Sequence, residues 1–70
     1  MIPEAGVRLS IRETSVMRWT AEGKTTSEIS EIMGMSVRTV MFHIGNVVKK
    51  LNASNKTAAA VRAAVLGLLG

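Results

Sequence analysis

Cysteine and tyrosine are absent from this chain, and histidine, proline, tryptophan and phenylalanine each occur once. Without cysteine there is neither a disulfide framework nor a thiolate metal site. The lone His43 excludes a multi-histidine site, so no metal or other cofactor is expected to bind. No apolar run approaches the length of a membrane span and the N-terminus has no secretory pattern, so the chain reads as cytoplasmic with no membrane partner. Catalysis lacks its parts: no pair of acids is placed to shift each other's pKa, and no glycine-rich phosphate loop is present. Acidic residues are missing from the second half. Glu4, Glu13, Glu22, Glu28 and Glu31 all precede position 32, whereas Arg38, Lys49, Lys50, Lys56 and Arg62 follow it. In a chain of net charge +4 that asymmetry points to a polyanionic partner for the second half. The plain alternative is a solvated surface sprinkled with lysine.

What is present reads as helix throughout. Seventy residues make one small domain, which buries only roughly 60% of its extended surface. Residues 1–8 hold Pro3 and Gly6 without a sustained period and read as a linker or frayed terminus, leaving 9–70 as the domain. Ser10-Ile11-Arg12-Glu13 is a capping box, opening a helix over about 11–22 that carries Val16, Met17 and Thr20 on one face and ends at Gly23. Trp19 flanks that face, as packing or as a contact to another domain. Thr25-Thr26-Ser27-Glu28 is a second capping box, opening a short helix over 26–33 that buries Ile29, Ile32 and Met33. Gly34 breaks it and Ser36 caps a third helix over 37–51. Two helices joined by a short glycine-containing turn, the second longer and more basic, form a helix-turn-helix pattern.

In the third helix Val40, Ile44, Val47 and Leu51 recur at i, i+4, i+7 and i+11, one stripe of a 3.6-residue period. The opposite face carries Arg38, Phe42, Gly45 and Lys49, with Met41 and Asn46 beside them. A solvated face would be mostly long and charged. This mixture of cations, an apolar ring, a bare position and an amide suits a surface that presses into the DNA major groove. A fourth helix, capped by Asn55, is expected over 56–69. Val61, Val65 and Leu68 form its expected inward stripe, and Ala59, Arg62, Ala63 and Leu66 its other side. Apolar character on both sides implies that both are covered. The second face reads as a homodimer contact, or as neutral surface or the seat of another domain.

Leu9-Ser10-Ile11-Arg12-Glu13, Ala21-Glu22-Gly23-Lys24-Thr25, Glu28-Ile29, Met35 to Val40, His43, Lys50-Leu51 and Asn55-Lys56-Thr57 carry a resemblance across nearly the whole chain. The chain resembles the all-α, four-helix DNA-binding domain of LuxR-type transcriptional regulators, the fold shared with NarL-type response regulators and the spore regulator GerE. Trp19 to Lys24, Phe42-His43 and Asn55-Lys56-Thr57 look most like the acyl-homoserine-lactone quorum-sensing receptors. That likeness implies a lactone-binding domain preceding Met1, with the lactone pocket outside this sequence.

The resemblance implies double-stranded DNA as partner, with the third helix in the major groove and base contacts from Arg38, Met41, Phe42 and Gly45. Met41 and Gly45 depart from relatives that carry long polar chains there, removing bidentate contacts worth about 1–3 kcal/mol each. Arg38 remains able to fork onto a guanine, Met41 and Phe42 can meet thymine methyls, and Gly45 permits close approach. Specificity is therefore expected to lean on Arg38, Asn46 and DNA shape. Thr25, Ser36 and Thr39 at helix N-termini and the cations Lys49, Lys50 and Lys56 are the expected phosphate contacts. For Thr25 and Ser36 pure capping is an equal alternative. His43 is expected as a packed, hydrogen-bonded residue rather than a phosphate contact. A two-fold dimer would present two third helices to an inverted repeat, and RNA polymerase is a further expected partner. The rival readings are a helical protein-interaction module and a sigma-factor-like DNA module.

Overall fold

The computed structural model describes residues 6–70. It holds four helices, α1 (Ile11–Ala21), α2 (Thr26–Met33), α3 (Val37–Leu51) and α4 (Lys56–Val65), with no strand among the described residues. Both capping boxes form. Ser10 Oγ accepts from the Glu13 N–H while Glu13 accepts from the Ser10 N–H, and Thr25 and Glu28 repeat the exchange. Ser36 and Asn55 cap α3 and α4 through the same side-chain-to-backbone bond. Each cap satisfies an N–H that its helix leaves orphaned, stabilising it by about 1 kcal/mol.

All four helices also stop in one way. Gly23, Gly34, Asn52 and Gly67 take positive φ, and the next N–H folds back onto a carbonyl five residues earlier. These bonds are Lys24 to Trp19, Met35 to Ser30, Ala53 to Val48 and Leu68 to Ala63. The residue with reversed φ turns the chain sharply, and the backward bond satisfies a last-turn carbonyl. α1 ends at Ala21, one residue short of expectation. α4 ends at Val65 rather than 69, because Gly67 reverses the chain there and Leu68 and Leu69 turn back onto the core. Arg18 Nε donates to the Leu69 carbonyl at 2.7 Å, which holds that turn against α1.

α3 packs against each of the other three helices, so its orientation is fixed from three sides. Its expected stripe Val40, Ile44, Val47 and Leu51 is buried, together with Val16 and Met17 of α1, Ile29 of α2, and Ala59, Ala60 and Ala63 of α4. A fully buried aliphatic side chain contributes about 1.5–3 kcal/mol, so these few residues carry the fold. Trp19 is half-buried against the core, as packing predicts.

Two face assignments are corrected. Ile32, expected inward on α2, is exposed. On α4 four residues change sides: Val61 and Val65 are 59% and 80% exposed, whereas Ala59 and Ala63 are fully buried. Leu68 packs on the core, and Arg62 and Leu66 face outward, as expected. Of the segment expected as a linker, residues 1–5 lie outside the described residues. Val7 packs on the core and the Arg8 carbonyl accepts from Lys50.

Candidate nucleic-acid interface

The core stripe of α3 fixes what the helix turns outward. Arg38, Met41, Phe42, Gly45 and Lys49 are all exposed and Asn46 is half-buried, so the structure brings the six expected residues of this face together. Met41 and Phe42 are 58% and 63% exposed. Phe42 is the chain's one phenylalanine, and the buried core contains no aromatic residue. Leaving the largest apolar side chain of α3 in water forfeits burial worth about 1.5–3 kcal/mol, and with Met41 beside it that side chain forms an exposed apolar patch. Gly45 needs no explanation from packing. It sits within the helix, and a Cβ placed on it would meet nothing within 4 Å.

The N-terminus of α3 adds hydroxyls. Ser36 Oγ accepts from the Thr39 N–H at 3.1 Å and shares a 3.0 Å bond with Thr39 Oγ1. Thr25 Oγ1 is likewise engaged by the Glu28 N–H while remaining exposed. Capping is thus present at Thr25 and Ser36. An oxygen that accepts in a cap retains its own O–H as a donor. Lys56 is half-buried in the first turn of α4.

Lys50 does not belong to this surface. Its Nζ donates to Glu13 Oε1 at 2.7 Å and to the Arg8 carbonyl at 3.0 Å, tying the end of α3 to the start of α1. Burial pushes the Glu13 carboxyl up. Lys50, with the N–H and hydroxyl of Ser10, outweighs that and holds it below its ordinary value. Turning Lys50 toward a phosphate would strand a buried carboxylate, so its assignment as a phosphate contact is corrected to a structural ion pair. The partners lie 37 residues apart in sequence, beyond the reach of any local pattern. Glu28 is also held below its usual value, by the Thr25 N–H and hydroxyl.

His43 is half-buried. Its ring meets Phe42 edge to face at 5.7 Å and 62°, and it makes no side-chain hydrogen bond among the described residues, so packing is its observed role. The dimer assignment is corrected in its residues. Ala59 and Ala63 fill the core and cannot touch a partner chain, while Arg62 and Leu66 are exposed. What sequence reasoning missed here is Val61 and Val65, which form the outer face of α4 with Arg62 and border a shallow groove with Asn52, Ser54 and Ala58. No acidic, histidine or cysteine group that could hold a metal occurs among the described residues, and no helix is long and apolar enough to cross a membrane.

A shorter helix, a three-residue turn and a longer helix that presents cations, apolar chains and a bare backbone outward define a helix-turn-helix DNA-binding domain. The model of bacterial regulatory proteins of the luxR family matches residues 7–63. The chain is 57% identical over 68 residues to the transcriptional repressor ThaA of Burkholderia thailandensis, covering 97% of this chain and 29% of that protein. It is 48% identical over 69 residues to the quorum-sensing regulator RhlR of Pseudomonas aeruginosa, covering 99% and 29%. The crystal structure of SdiA from Escherichia coli superposes with a TM-score of 0.87 at 50% identity, over 100% of this chain and 29% of that one. The chain belongs to the luxR family of bacterial regulatory proteins. It spans less than a third of the length of these relatives.

Proposed function

We propose that this chain is the DNA-reading unit of a bacterial transcriptional regulator, with α3 in the major groove. The observation that carries this reading is the outward face of α3, where Arg38 and Lys49 flank exposed Met41 and Phe42 over bare Gly45. Arg38, Met41, Phe42, Gly45 and Asn46 face base edges. Thr25, Ser36, Thr39, Lys49 and Lys56 face phosphates, where they set register and supply salt-dependent affinity.

One α3 in the groove gives weak binding, so two copies pair on an inverted repeat through the outer face of α4: Val61, Arg62, Val65 and Leu66. Such an exposed apolar strip on a small domain suits a partner helix. The likeness to RhlR supports a quorum-sensing regulator, in which a separate domain takes an acyl-homoserine lactone. Contact with RNA polymerase and a cytoplasmic location belong to the same reading.

The test is selection from a randomised duplex pool by the 70-residue chain. Recovery of an inverted repeat with half-sites about one helical turn apart is the expected result. Val65→Glu should abolish preference for the repeat over a single half-site while leaving the melting curve unchanged. Absence of DNA binding even at low salt would overturn the reading.

A further inference from the structure

We infer that Met41 and Phe42 form a reader of the pyrimidine C5-methyl group, favouring thymine and 5-methylcytosine over uracil and cytosine at the base steps they face. This rests on the placement of α3 in the major groove proposed above. The phenyl ring offers no hydrogen bond and the thioether only a weak acceptor. Between them these side chains cannot read the donor and acceptor pattern of a base edge. The one feature of the major groove they can select is the methyl group on C5 of thymine, which meets apolar side chains. Cytosine methylated at C5 presents the same group from the same ring carbon.

Three features suit the pair to that task. Met41 and Phe42 are adjacent, and both stand mostly in solvent. The Phe42 ring rests edge to face on His43, which gives it a neighbour on its own helix before any DNA arrives. Gly45 lies four residues beyond Met41 and three beyond Phe42, so it shares their face. The open space where its Cβ would be leaves a bare strip against which a methyl group can lie. Arg38 and Asn46 flank the strip and retain the polar reading.

The test replaces thymines of the selected duplex with deoxyuridine one at a time, which removes a methyl and nothing else, and reads affinity by fluorescence anisotropy. One or two thymines per half-site should each lose about fourfold, the equivalent of about 0.8 kcal/mol for one buried methyl-sized group. In Met41→Ala or Phe42→Ala that loss should shrink below about twofold, with unchanged melting because both side chains are exposed. At the same step, a 5-methylcytosine–guanine pair should bind about fourfold tighter than cytosine–guanine. Intact sequence preference with no penalty for uracil at any position would overturn the inference and leave the groove reading standing. A penalty unchanged in both variants would overturn it equally. Loss of all sequence preference in the parent chain would instead sink the groove reading, and this inference with it.

Discussion

α3 turns Val40, Ile44, Val47 and Leu51 to the core, whereas α4 turns Ala59, Ala60 and Ala63 inward and holds Val61 and Val65 out. Both helices are apolar on their buried sides, but α3 fills volume and α4 yields it. Once the branched chains of α3 and the Val16–Met17 pair of α1 occupy the centre, the last helix closes the core at short range, and only methyl side chains leave room. Helix separation follows the size of the contacting residues. Hydrophobicity alone therefore does not say which face of α4 is inside. The outward faces differ in the same spirit. That of α3 mixes cations, apolar chains and a bare glycine, while that of α4 is a mostly aliphatic strip with one arginine.

The sharpest way to break this contrast is a pair of glutamates on α4. Ala63→Glu buries a carboxylate with no partner at a fully buried site, a cost of several kcal/mol that rivals the whole stability of a small domain. Its thermal unfolding, followed by circular dichroism, should show no cooperative transition. Val65→Glu, two residues on, should melt as the parent does. Equal stability of the two variants would mean that the inward face of α4 is wrongly assigned.

The neighbouring lysines of α3 give the next largest effect. Lys50→Met strands Glu13 and should cost about 1–3 kcal/mol, toward the lower end because the Lys50 side chain is itself 40% exposed. The Glu13 carboxyl is held below its ordinary 4.5, so it adds stability above that value, which is lost as the pH falls through its lower folded value. Lys50→Met should therefore flatten the fall in melting temperature between about pH 5 and pH 3, with Glu28 still contributing its share. Lys49→Ala should leave stability and its pH profile alone. It should reduce the slope of log affinity for DNA against log salt by about 0.9, which Lys50→Met should not.

The smallest effect is on the bare position. Gly45→Ala should raise stability by about 0.5–1 kcal/mol, since a helix interior favours alanine and the added methyl meets open space. A gain in chemical-denaturation midpoint together with weaker binding to the selected site would tie the glycine to close approach. Unchanged affinity would remove Gly45 from the interface.

These contrasts also mark what the sequence made legible. Helix starts were readable because a cap is a three-residue rule, and Ser10–Glu13, Thr25–Glu28, Ser36 and Asn55 all obey it. The stripe of α3 was readable because one inward face of branched residues repeats over about three turns. Harder to read were features that depend on elements far apart in sequence. The inward alanines of α4 follow from space already taken by α1 and α3, and the Lys50–Glu13 pair joins the end of α3 to the start of α1, 37 residues apart. Gly67 reverses the chain inside a stretch whose apolar run gave no sign of it, whereas α3 ends at Leu51 where it was expected to. Of the site, the α3 face was legible through its odd mixture of residues, while on the outer strip of α4 Arg62 and Leu66 were readable and Val61 and Val65 were not.

In the proposed reading, α3 reads bases through Arg38 and holds phosphates through Lys49. The most direct measurement is the affinity of Arg38→Ala and Lys49→Ala for the selected duplex and for a random one at the same salt. Arg38→Ala should lose about 1–3 kcal/mol on the selected duplex, roughly 5- to 150-fold, and much less on the random one. Lys49→Ala should weaken both alike. Equal losses for Arg38→Ala on the two duplexes would contradict the account.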